Sequence, residues 1–92
     1  MDNYVDIVNT GKRINYLIKG GIYDVIDIQN FLGLRCPQSV YRWCHGKALP
    51  TIGHLYMLSL LYEVNMEDII VFKDGYINNK ITDFKQMYLS KL

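Results

Sequence analysis

A chain of 92 residues that is 50% hydrophobic and 21% charged has the composition of one soluble globular domain, which excludes a disordered segment, a fibrous repeat and several domains in tandem. The formal net charge of +1 excludes a polyelectrolyte; no run of eighteen apolar residues and no basic leader with an apolar run occurs, so a cytoplasmic protein with no membrane partner is expected. So short a chain buries a modest share of its surface, and a compact helical arrangement or a partner is expected to stabilise it.

In chain order, Asn9-Thr10 is expected to cap a first helix running to about Lys19, with Ile14, Leu17 and Ile18 as its inward stripe and Gly20-Gly21 as its end. Asp24 and Asp27 have the spacing of a capping box, opening a second helix from Val25 to Leu32 that Gly33 stops. Pro37 suits the first turn of a third helix, because the N–H it lacks would have been unpaired there; Cys36 is then the N-cap, and the helix runs to His45 and ends at Gly46. Pro50-Thr51 opens a fourth helix, in which Ile52, Leu55, Met57, Leu58, Leu60 and Leu61 are apolar nearly all round, so that it is expected to be central and buried. Asn65 caps a fifth, from Met66 to about Phe72, with Glu67 and Asp68 in the first turn where the helix dipole favours anions. Short helices with tight connections make a compact all-α domain.

At about 100° per residue, Gln38, Tyr41, Arg42 and His45 share one stripe of the third helix, while Cys36, Val40, Trp43 and Cys44 fall on the other side. The polar stripe carries an amide, a phenol, a guanidinium and an imidazole, and no carboxylate. From Ile28 to Tyr62 there is no Asp or Glu, whereas Arg35, Arg42, Lys47, His45 and His54 fall inside that window. Two readings are open: an ordinary solvated face beside a core segment, or a surface meant for an anion. Arg can fork onto guanine O6 and N7, Gln can pair with adenine N6 and N7, and a helix fits the major groove of DNA.

Four stretches carry a resemblance: Gly11-Lys12-Arg13-Ile14, Leu32-Gly33-Leu34, Val40-Tyr41-Arg42-Trp43 followed by Gly46-Lys47 and Leu49-Pro50, and Leu58 to Val64 with Asn65 and Asp68-Ile69-Ile70. Together the run from about Thr10 to Phe72 resembles the helix-turn-helix domain of the phage repressor and Cro family, also called XRE-type. The resemblance implies a five-helix repressor-like domain over residues 1–73 that binds double-stranded DNA as a sequence-specific transcriptional regulator. The third helix would be the recognition helix. Gln38, Ser39 and Arg42 match base-contacting positions; Lys47 and the backbone of Gly46 match phosphate contacts, and Tyr41, His45 and Arg35 join them along the DNA backbone. The chain departs from the family pattern in an extra residue with Pro37 at the helix start, and in Val25, Gln29, Cys44 and Glu63.

Residues 74–92 form a tail in which Ile77, Ile81, Phe84 and Tyr88 follow a heptad-like spacing. A helix of this length is marginal alone in water. It is expected either to pack back on the domain or to pair across a homodimer, which would set two recognition helices one helical turn of DNA apart. The alternative function is a protein-interaction module on the same fold, an antitoxin-like partner or a mobile-element assembly factor with weak DNA binding. Enzyme chemistry is not expected. Cys36, Cys44, His45 and His54 lack paired zinc-ligand spacing, Cys44 faces the apolar side without an orienting carboxylate, and no phosphate-cradling glycine loop occurs, so no catalytic residue, metal or cofactor is expected. The two cysteines lie roughly 12 Å apart along one helix, too far for a disulfide.

Overall fold

A computed structural model describes residues 4–91; residues 1–3 and 92, the outer ends of the two expected regions, lie outside the described residues. The observed helices are α1 (Ile7–Gly20), α2 (Val25–Leu32), α3 (Gln38–Cys44), α4 (Ile52–Tyr62), α5 (Met66–Ile69) and α6 (Asp74–Leu89). This is the expected all-α fold, five helices in a body and a sixth in the tail. Among the described residues no helix is long and apolar enough to cross a membrane.

One core draws on every helix of the body. Ile14 of α1, Ile28 of α2, Val40 and Trp43 of α3, Leu55 and Leu58 of α4 and Ile69 of α5 are all buried and in contact as one cluster. Each such side chain contributes about 1.5–3 kcal/mol relative to remaining exposed. Leu17 and Ile18 complete the α1 stripe at the edge of this cluster.

The helix ends follow local chemistry, with several corrections. Asp24 and Asp27 form the expected reciprocal box, Asp24 Oδ1 accepting from the Asp27 N–H at 2.8 Å and Asp27 Oδ2 from the Asp24 N–H at 3.0 Å. The cap of α1 is Asp6, not Asn9-Thr10: the Asp6 carboxylate accepts from the Asn9 N–H at 3.0 Å and from Asn9 Nδ2 at 2.7 Å. The backbone hydrogen bond from Asn9, then its side-chain bond, holds the Asp6 carboxyl below its ordinary value. The cap of α3 is Pro37, not Cys36, because the Pro37 carbonyl accepts from the N–H groups of Val40 and Tyr41. The helix accordingly runs from Gln38 to Cys44, and His45 lies just beyond it.

α4 is not buried all round. Thr51 caps it and Leu55, Leu58 and Ser59 are buried, but Ile52, Tyr56 and Leu60 are exposed, since only one side of α4 meets the other helices. Its C-cap, Glu63, adopts the left-handed conformation, φ 55°, that a glycine takes up more readily. α5 ends at Ile69 rather than near Phe72, because the next residues are drawn into an antiparallel bridge between Val5 and Phe72. There the Asp6 N–H donates to the Val71 carbonyl and the Lys73 N–H to the Tyr4 carbonyl, both at 2.8 Å.

The Cα radius of gyration is 16.3 Å, against about 12 Å for a compact chain of this length. α6 accounts for the excess. It projects from the body, with every residue from Asn78 to Lys91 exposed and Ile77 half-buried near its root.

Candidate nucleic-acid interface

Placement of α3 begins with its seat. Val40 and Trp43, three residues apart, are buried in the core, which turns the intervening and flanking positions outward. α1 permits the close approach because Gly11 lies against the end of α3: a methyl group there would meet the Trp43 carbonyl oxygen at 2.2 Å. The turn between α2 and α3 is fixed by Gly33 at φ 70°, by the Leu34 N–H on the Gln29 carbonyl at 3.0 Å, and by Gln29 Nε2 donating to the Leu34 carbonyl at 3.4 Å. Gln29, a departure from the family pattern, thus ties down the turn.

The outward face holds Gln38, Tyr41, Arg42 and His45, all exposed, with Lys47 beyond and Arg35 in the turn before. Among the described residues no carboxylate pairs with Arg35, Arg42 or Lys47, and the nine acids of the chain all lie outside the Ile28 to Tyr62 window. Ser39 is half-buried and stands at the rim. Gly46 is half-buried as well, and its amide is already engaged: the N–H donates to the Trp43 carbonyl at 3.1 Å while the Lys47 N–H donates to the Arg42 carbonyl at 2.9 Å. Gly46 therefore terminates α3 and, at φ 69°, passes within contact of Val8 on α1.

Lys19 belongs to this surface although the sequence did not single it out. It shares an open groove with Ile18, Tyr23, Asp24, Val25 and Tyr41, so a cation from the end of α1, with the Asp24 carboxylate in the same groove, stands beside α3. Only tertiary packing brings the two together; in the sequence Lys19 reads as an ordinary last-turn cation of α1.

The other polar groups around α3 are structural. Cys36, expected on the packed side, is exposed in the turn, and Cys44 is half-buried. Burial pushes the Cys44 thiol above its ordinary value, the reverse of an activated nucleophile. His54 is half-buried with its ring 5.9 Å from that of Trp43. Among the described residues no three His, Cys, Asp or Glu side chains converge as metal ligands.

No family model and no curated relative matches the chain. Among solved structures it is similar to the solution structure of the SOS-response transcriptional repressor LexA from Eubacterium rectale, with a TM-score of 0.62 and 26% sequence identity over 70% of this chain and 67% of that one. The likeness supports a helix-turn-helix domain of repressor type without singling out the phage repressor and Cro family.

Proposed function

We propose that the protein is a transcriptional regulator that binds double-stranded DNA by setting α3 in the major groove. The observation that carries this reading is the exposed, carboxylate-free face of α3, held outward by Val40 and Trp43 and bordered by Arg35 and Lys47. Similarity to a transcriptional repressor lends it support. Arg42 forks onto a guanine and Gln38 pairs with an adenine, with Ser39 at the rim of the same contact. Lys47 and Arg35 neutralise phosphates on either side, and Tyr41, His45 and the Gly46 backbone line the path of the strands. Pro37 fixes the backbone at the start of α3 and so the angle at which the helix enters the groove.

Selection of bound fragments from random duplex DNA, repeated with two variants, tests the assignment. Arg42→Ala is expected to relax preference at one base pair, by roughly 5–150-fold or about 1–3 kcal/mol, whereas Lys47→Ala weakens all sequences alike. Equal effects of both on every sequence would show that α3 does not read bases.

A further inference from the structure

Two apolar faces outside α3 are covered by no other element of the described residues. On α4, Ile52, Tyr56 and Leu60 stand at successive turns, 80%, 53% and 53% exposed, and lead to Glu63 with Glu67 beyond. On α6, Ile81, Phe84 and Tyr88 continue a stripe from Ile77, with Met87 at its edge; they are 47%, 56%, 54% and 50% exposed. Tyr4, Ile77, Lys80, Ile81, Phe84 and Lys85 enclose an apolar groove at the root of that stripe.

We infer that a second copy of this chain covers both faces by reciprocal exchange, α6 of each copy lying along α4 of the other. Three observations select this occupant. First, reach: sixteen residues give α6 a length of about 24 Å, and the molecule is 55 Å long against widths of 24 and 22 Å, so α6 is extended away from its own body. Second, area: half-exposed side chains of this size offer on the order of 100 Å² each. The α6 stripe alone gives about 400 Å² per copy; both faces together give about 700 Å², close to the roughly 800 Å² per partner of a stable interface. Third, charge: Lys80 and Lys85 flank the α6 stripe on opposite sides. Parallel pairing of two α6 helices would set Lys80 of one copy against Lys85 of the other, twice, which is unfavourable. The α4 face instead runs to Glu63, an exposed acid at the end of that helix and opposite in sign to those lysines.

The exchange is independent of whether α3 binds DNA. Sedimentation of the full chain is expected to give twice the 10.8 kDa chain mass. Phe84→Asp on α6 and Tyr56→Asp on α4, both at exposed positions, should each give a monomer with unchanged far-ultraviolet circular dichroism; Ile81→Asp and Leu60→Asp are second variants of each face. Mixing the two monomeric variants restores one intact contact, α6 of the Tyr56→Asp chain on α4 of the Phe84→Asp chain. Titrating unlabelled Phe84→Asp into nitrogen-15-labelled Tyr56→Asp at millimolar concentration should therefore shift amide signals of α6. A monomeric wild-type chain overturns the inference, as does a Tyr56→Asp chain that remains dimeric through α6 alone, or a mixture without α6 shifts. Capture of an acidic helix or an anionic vesicle by a monomeric chain would reassign the α6 stripe to that occupant.

Discussion

Gly11 shows how one residue without a side chain governs the placement of the recognition helix. It sits inside α1, where alanine would be preferred by about 1 kcal/mol on helix propensity. A methyl group there, however, would lie 2.2 Å from the Trp43 carbonyl and 3.0 Å from both the Cys44 carbonyl and the Gly46 nitrogen, all backbone atoms at the end of α3. Backbone cannot yield as a flexible side chain does, so overpacking outweighs propensity. Gly11→Ala is expected to lower stability by about 2 kcal/mol in urea denaturation, and a variant more stable than wild type would refute the close approach. The sequence showed Gly11 as part of a family-like stretch. That its neighbour is the end of α3, thirty-odd positions away, depends on packing that no local pattern encodes. Arg13, in the same stretch, similarly reaches the Asp68 carbonyl and ties α1 to α5.

At the scale of elements, the boundaries that depend on neighbouring residues were legible and those set by distant chain were not. The Asp24/Asp27 box, the Thr51 cap and the Gly33 stop each act within a few residues, and the structure has them where the spacing puts them. The end of α5 fails this pattern because Val71 belongs to a junction with the start of the chain. Thr10, read from the sequence as a cap, is 1% exposed; its Oγ1 accepts from the Val71 N–H at 2.9 Å and donates to the Val71 carbonyl at 3.4 Å. A hydroxyl that serves both backbone groups of one residue clamps α1 to the segment leading into α6. Thr10→Val keeps the shape but leaves the half-buried Val71 N–H without its Thr10 partner, at an expected cost of about 1 kcal/mol. Thr10→Ser should recover most of that loss. Hydrogen exchange at Val71, faster in Thr10→Val and near wild type in Thr10→Ser, separates this clamp from a mere packing defect. The exposed face of α4 was illegible for a related reason: a helix apolar all round gives no direction, and only the arrangement of its neighbours decides which side stays uncovered.

For the whole molecule, a net charge of +1 argues neither for nor against a polyanionic partner; the distribution of charge decides. The polar face of α3 was readable from periodicity and the carboxylate-free window, but the sequence could not add Lys19, which α1 delivers to the same surface. Arg35, Arg42 and Lys47 are the cations of the window, and all are exposed. Each phosphate neutralised on duplex DNA contributes close to −0.9 to the slope of log K against log salt. With Arg42 on a base edge, Arg35 and Lys47 on the backbone give one copy a slope of about −2, and two copies on one duplex about twice that. Lys19→Ala separates its contribution: a slope shallower by about one unit places the α1 cation on a phosphate, whereas an unchanged slope leaves it outside the contact. Fluorescence anisotropy of a labelled duplex between 50 and 200 mM salt reads both quantities. A wild-type slope shallower than −1 would mean that the cations of this face do not meet phosphates, and would remove the electrostatic basis for seating α3 in a groove.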